Sequence, residues 1–181
     1  MFIYSFHNDF QRFLVVGARR GVHLAILGEP GSGKSMIVQP LELICQTMPP
    51  PEDRSSLPLA ALLDAEIILW QDFEYNHKTL NFSDLLRLVV GERIGVRLPG
   101  ALNTGFNNTA PIFYSALQPI TPPRWAEVYD KKVTAMNDRF LIRTWRVALP
   151  SARRVHDFPH CARCFASFVL DNDTAWHAVF S

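Results

Sequence analysis

Apolar residues in this chain fall into short runs, and the runs alternate with segments of helical period. Val22-His23-Leu24-Ala25-Ile26-Leu27 and Ala65-Glu66-Ile67-Ile68-Leu69-Trp70 are mostly apolar blocks bounded by glycine or polar residues, the pattern of strands buried on both faces. Pro111-Ile112-Phe113-Tyr114-Ser115 and the segment Arg139 to Leu149 predict two further strands. Between these runs, Asp9 to Ala18 places Phe10, Phe13, Leu14 and Gly17 on one side of a helix that ends at Arg19-Arg20-Gly21. Met36 to Met48 predicts a second helix. A third opens at Asn81-Phe82-Ser83 with Ser83 as its cap, carries Leu85, Leu86, Leu88 and Val89, and stops at Gly91. Pro49-Pro50-Pro51-Glu52-Asp53-Arg54-Ser55-Ser56 cannot be helical and reads as an exposed loop. Pro99-Gly100 and Asn107-Asn108 bracket alternating residues, so a hairpin is predicted between Ile94 and Asn108. Strands alternating with helices indicate an α/β fold with a mainly parallel central sheet flanked by helices.

A chain of 181 residues with 48% hydrophobic content can bury the core of one domain. No apolar run reaches the roughly 18 residues that a membrane-crossing helix needs, and Met1 to Phe6 lacks the character of a secretory signal. Three cysteines, an odd number, do not make a disulfide framework. These features lead to the expectation of an intracellular chain with no membrane partner. The net charge of +1 is uninformative, but its distribution is uneven: Arg124 to Arg154 holds eight Lys or Arg against three acids. A basic stretch of that kind suits a nucleic-acid surface and equally a solvated face.

The densest chemical signal is Gly28-Glu29-Pro30-Gly31-Ser32-Gly33-Lys34-Ser35, a complete G-x-x-x-x-G-K-[ST] phosphate-binding loop between a predicted strand and a predicted helix. Glycines let backbone N–H groups turn inward around phosphate oxygens, and the start of the following helix adds a favourable field. Lys34 is placed to reach the terminal phosphates, and the Ser35 hydroxyl to hold a magnesium ion. Hydrolysis also needs a carboxylate at a neighbouring strand end to help hold the metal and orient the attacking water. Asp72 and Glu74 follow the apolar run Ile67 to Trp70 and emerge where open α/β sheets bind ligands, with Asp72 the stronger candidate.

A second cluster lies near the C-terminus. His156, His160, Cys161 and Cys164 fall within nine residues, and Cys161-x-x-Cys164 has zinc-knuckle spacing. The segment from Cys161 to Leu170 also reads as an apolar helix with packed cysteines, and that reading is preferred over zinc. The remaining histidines, His7, His23, His77 and His177, are scattered and form no catalytic order with a serine or cysteine.

The blocks GEPGSGKS, LPLAALLDAEIILWQDFEY, LLRLVVGERIGVRLPG, NNTAPIFYSALQPI and AMNDRFLIRTWRVALP, in that order, resemble the superfamily 3 helicases of small DNA viruses, such as the replication proteins of parvoviruses and papillomaviruses. The resemblance covers about Val22 to Pro150. It implies an AAA+-like P-loop nucleotidase core at 22–150, preceded by a helical lead-in (1–21) and followed by a C-terminal extension with an apolar helix (151–181). By resemblance the cofactors are ATP and Mg2+, and the partners are DNA, in single-stranded form, and further copies of the chain in a hexameric ring. Nuclear localisation follows on the same ground. Gly28 to Ser35 match the nucleotide-binding residues, Ser35 and Asp72 the metal site, and Asp72 the water-orienting acid. Arg93 and Arg97 fall in the DNA-tracking hairpin, and Ser115 to Gln118 where a polar sensor ends its strand. Arg139 matches the arginine that reaches a neighbouring subunit's nucleotide, although an ion pair with Asp138 or Asp130 would equally explain it. Two residues depart from the pattern. Gln71 stands where the family has its first acid, and Leu117 where the sensor strand presents asparagine. The expectation is therefore a DNA helicase-like ATPase, with an impaired nucleotide-binding module as the alternative.

Overall fold

The computed structural model describes residues 8–14, 23–51, 59–96, 104–124, 126–145, 163 and 165–166. Among the described residues seven strands are present: β1 (His23–Gly28), β2 (Thr47–Met48), β3 (Ile67–Trp70), β4 (Arg93–Val96), β5 (Thr104–Asn107), β6 (Ile112–Ala116) and β7 (Phe140–Trp145). The α-helices that accompany them are α1 (residues 8–14), α2 (Lys34–Val38), α3 (Phe82–Val90) and α4 (Tyr129–Asn137), and residues 163, 165 and 166 are helical as well. Five strands form one sheet in the order β2-β3-β6-β1-β7, and every neighbouring pair is parallel. The predicted α/β class with a parallel central sheet is what the chain adopts. The remaining two strands, β4 and β5, pair antiparallel as a separate ribbon, which agrees with the predicted hairpin; its turn, together with Arg97, lies outside the described residues.

Strand periodicity divides the core in two. Leu24 and Ile26, Ile67 and Leu69, and Phe113 point to one face, where they meet Phe10 and Phe13 of α1, Val38, Leu41 and Phe165. The alternate residues Ala25 and Leu27, Ile68 and Trp70, and Ile112, Tyr114 and Ala116 point to the other, where they meet Phe82, Leu85, Leu88 and Val89 of α3 and Ile94 and Val96 of the ribbon. With both faces covered, the strands can be apolar throughout, which is why they read as unbroken runs in the sequence. The aromatic spacing in α1 is used directly: Phe13 meets Phe113 edge-on at 6.4 Å and Phe10 meets Phe165 at 5.7 Å.

His23 joins three elements. Its Nδ1 accepts the Ile112 N–H at 3.0 Å, which makes Nε2 the protonated nitrogen that donates to the Val89 carbonyl at 2.6 Å. One buried ring thus ties the start of β1 to the start of β6 and the end of α3. Burial pushes its pKa down from 6.5 to about 4, against the opposing effect of the Val89 bond.

Several local expectations change. The helix predicted from Met36 to Met48 is only α2, five residues long. Pro40 has no N–H to donate to Met36, so the chain tightens into a 3-10 segment at Gln39–Leu43 and then enters the edge strand β2. The cap of α3 is Asn81, whose side chain accepts the Ser83 N–H at 2.8 Å; Ser83 lies inside the helix. Gly91 ends that helix in a left-handed conformation (φ 76°), as predicted. Helix α4 was not anticipated, because only Met136 of its residues is buried and no apolar stripe marks it.

Candidate functional site

β1 runs straight into the phosphate-binding loop, and the loop's glycines are there for two separate reasons. A methyl group on Gly28 would collide with the Trp145 carbonyl of the neighbouring strand β7. Gly31 and Gly33 have φ of 75° and 87°, in the left-handed region that glycine enters without a Cβ penalty. Gly33 in this state turns the chain into α2. Lys34 follows at once, only 5% exposed, and its Nζ donates to Gly28 O at 2.8 Å, Glu29 O at 2.9 Å and Ser32 Oγ at 3.4 Å. The ammonium is therefore fixed across the loop's mouth. Because α2 is a single turn, the positive field here comes from the loop amides and the lysine rather than from a long helix.

The loop forms one wall of a cleft of about 800 Å³. Gly28, Pro30, Gly31, Gly33, Lys34 and Ser35 line it from β1 and α2. Asp72, Phe73, Glu74 and Tyr75 line it from the segment after β3, and Ala116 to Thr121 from the segment after β6. All three walls thus come from the carboxyl ends of parallel strands, where an open α/β sheet presents its ligands. The structure brings Lys34, Ser35, Asp72 and Glu74 to one cleft although they are 37 or more residues apart between loop and acids. Glu29 and Ser32 belong to the loop but do not line the cleft; their contribution is the carbonyl and hydroxyl that hold Lys34.

Gln71 and Asp72 part company at the end of β3. Gln71 Nε2 donates to Glu42 Oε1 at 2.8 Å, on the 3-10 segment that follows α2, and Gln71 does not line the cleft. Asp72 does line it, with φ of 46°. Its N–H donates to Ser115 Oγ at 2.9 Å, and the next N–H, of Phe73, donates to Ser115 O at 2.8 Å. Trp70, two residues before Asp72, stacks on Phe73 with ring centroids 4.6 Å apart and anchors the turn from the core side. Farther out, the Tyr75 hydroxyl donates to Leu80 O at 2.9 Å, and burial raises its pKa to about 12, so the phenol stays protonated at neutral pH.

Of the predicted sensor residues, Ser115 is fully buried and does not line the cleft, Leu117 is 57% exposed, and Gln118 is an exposed lining residue. Ser115, expected near the sensor position, accepts the Asp72 N–H with its Oγ, a bond between residues 43 positions apart that nothing in the sequence records. Arg139 sits in the turn between α4 and β7 and donates to the Ala135 carbonyl; it does not line its own chain's cleft. Arg93 is exposed on β4, and its guanidinium lies over Gly105 of β5, where a methyl group would overlap it. Among the described residues no group of three or more His, Cys, Asp or Glu is arranged to hold a metal ion, and His156, His160, Cys161 and Cys164 lie outside those residues. Among the same residues, no helix is long and apolar enough to cross a membrane.

The hydroxyl of Ser35 and the carboxylate of Asp72 are hard oxygen donors, without histidine or thiolate beside them in the cleft, and so suit magnesium in type. The left-handed glycines and the fixed lysine suit a polyphosphate.

No protein-family profile matches the chain, and no curated protein matches it in sequence. Solved structures do match in fold. JCV helicase, solved with a bound substituted acetamide, superposes with a TM-score of 0.55 at 14% identity, over 79% of this chain and 40% of that one. The apo C-terminal region of NrS-1 superposes with a TM-score of 0.50 at 13% identity, over 93% of this chain and 37% of that one. The chain therefore spans about two fifths of the length of each structure it resembles. At such low identity the likeness is one of architecture: the chain has a helicase-like α/β fold.

Proposed function

We propose that this chain is an ATP-binding, ATP-hydrolysing helicase-like module that acts on DNA. The observation that carries the reading is the single cleft in which Lys34 and Ser35 of the phosphate loop meet Asp72 and Glu74 at adjoining strand ends. The loop amides would grip the β- and γ-phosphates together with the Lys34 ammonium, which would exchange its bonds to Gly28 O, Glu29 O and Ser32 Oγ for phosphate oxygens, while Ser35 and Asp72 would hold magnesium. Bound magnesium would supply charge neutralisation at the phosphates. Asp72 and Glu74 would hold and orient the attacking water, acting by position and charge rather than by covalent chemistry. Arg93 and Arg97 would contact the DNA backbone from the hairpin, independently of sequence. Arg139, which does not line its own cleft, would complete the site of a neighbouring copy and stabilise charge on the transferring phosphoryl group in a ring, taken as a hexamer by resemblance.

A second reading, a nucleotide-binding module with little turnover, has its own support. Gln71 is turned to Glu42 rather than to the cleft, and Leu117 presents an apolar side chain where a polar sensor is expected. ATPase rate measured with and without single-stranded DNA separates the two. DNA-stimulated turnover that Lys34→Ala abolishes supports the motor; magnesium-dependent ATP binding without turnover supports the module. Absence of any ATP binding that depends on Lys34 would sink both.

A further inference from the structure

The backbone of Asp72 is in a conformation that is uncommon for a residue with a Cβ, although aspartate enters it more readily than most. Its φ of 46° is left-handed, and among the described residues Val128 is the other non-glycine residue with positive φ. Two consecutive amides at this turn converge on one residue. Ser115 accepts the Asp72 N–H with its side-chain Oγ at 2.9 Å and the Phe73 N–H with its main-chain oxygen at 2.8 Å. Ser115 itself is fully buried on β6, in register between β1 and the turn, so its hydroxyl is held by the sheet rather than free to rotate with the loop. It does not line the cleft and so makes no direct approach to a ligand there.

We propose that Ser115 is the positioning residue for the Asp72 carboxylate: by accepting the Asp72 N–H it keeps residue 72 left-handed and so directs the acid into the cleft. The consequence for chemistry rests on the reading above, in which Asp72 serves a magnesium-bound nucleotide. The two bonds can be separated by mutation. Ser115→Ala removes only the Oγ acceptor. The main-chain oxygen that holds Phe73 remains, as does the strand pairing of β6 with β1 and β3. The Asp72 amide then loses its acceptor, and the residue can relax to negative φ, swinging the carboxylate with it.

The first test needs no nucleotide. Amide hydrogen exchange followed by NMR on the nucleotide-free protein is expected to show Asp72 exchanging at least tenfold faster in Ser115→Ala, with Phe73 within about twofold of its original rate. Ser115→Thr, which keeps the hydroxyl, is expected to restore protection. The second test reads function. Ser115→Ala should lower the ATPase kcat tenfold or more with KM for ATP changed less than threefold, and should cause no further loss in an Asp72→Asn background. Unchanged exchange at Asp72 overturns the proposal, and so does equal acceleration at both amides, which would mean general loosening. Losses that multiply fully in the double variant overturn it as well. If the protein binds no ATP, the functional reading falls, while the exchange experiment still decides whether Ser115 holds residue 72.

Discussion

Acid should weaken this protein through one buried ring. His23 is fully buried and neutral, with Nδ1 accepting from Ile112 and Nε2–H donating to Val89, so protonation would put a second N–H where an N–H already points. Its pKa is pushed down from 6.5 to about 4, mainly by desolvation. A histidine that is harder to protonate when folded contributes stability fully present above pH 6.5, where neither state binds the proton. That stability is lost as the pH falls toward about 4. The shift corresponds to about 3 kcal/mol, of which roughly 2 kcal/mol should be gone by pH 5. That is a large fraction of the 5 to 15 kcal/mol typical of a domain. Urea unfolding at intervals between pH 7.5 and pH 4 measures the loss, but surface carboxylates titrate in the lower part of the same window. His23→Gln supplies the reference: it should be less stable at pH 7.5 by about 1 to 3 kcal/mol, because the Ile112 N–H loses its acceptor. Its curve should also lack the extra fall between pH 6.5 and pH 4. Parallel curves for the two proteins would refute the argument, as would an NMR titration of the His23 ring with a midpoint near 6.5.

Three further outcomes follow from particular contacts. Phe13→Ala should cost about 3 to 5 kcal/mol in urea unfolding, because Phe13 is fully buried between α1 and Phe113 and little can collapse into the space. Asn81→Ala should destabilise by about 1 kcal/mol while Ser83→Ala stays within about 0.5 kcal/mol, which distinguishes the observed cap from the one the sequence suggested. Gly95 and Gly105 face each other across the ribbon, but only a methyl at Gly105 would displace the Arg93 guanidinium. If Arg93 contacts DNA phosphate, Gly105→Ala should therefore weaken single-stranded DNA binding and lower the slope of log K against log salt by up to about 0.7, the change also expected of Arg93→Ala. Gly95→Ala, with open space around its new methyl, should leave binding unchanged.

What could be read from the sequence was what neighbouring residues decide. The buried strands announced themselves as apolar runs because both sheet faces are covered, and the left-handed turns of the glycine-rich loop because its glycines have fixed offsets. Gly91 stopped α3 as expected for the same local reason. The break at Pro40 is also legible, since proline lacks the N–H that a helix running on to Met48 would need there. Helix α4 was hidden because a segment with one buried residue carries no stripe. The remaining features depend on partners far away in sequence. His23 bonds to residues 66 and 89 positions on, and Ser115 to one 43 positions back. A histidine among scattered histidines, or a serine at a strand end, gives no sign of such contacts before the chain has folded.

The same distinction bears on Gln71, one of the residues that depart from the family pattern. By resemblance alone, an amide in place of a carboxylate removes a charge from the expected metal site. In the folded chain the left-handed turn at Asp72 sends successive side chains to different places: residue 72 into the cleft, residue 71 to Glu42 behind it. An acid at position 71 with this backbone would face the Glu42 carboxylate, and the like charges would repel rather than add to the metal site. An amide is the group that fits, since it donates to Glu42 and ties the segment after α2 to the end of β3. Gln71→Glu is therefore expected to reduce stability and not to raise metal-dependent ATP affinity. A gain in that affinity would mean that residue 71 turns toward the cleft when nucleotide binds. It would return the first acid's role to this position.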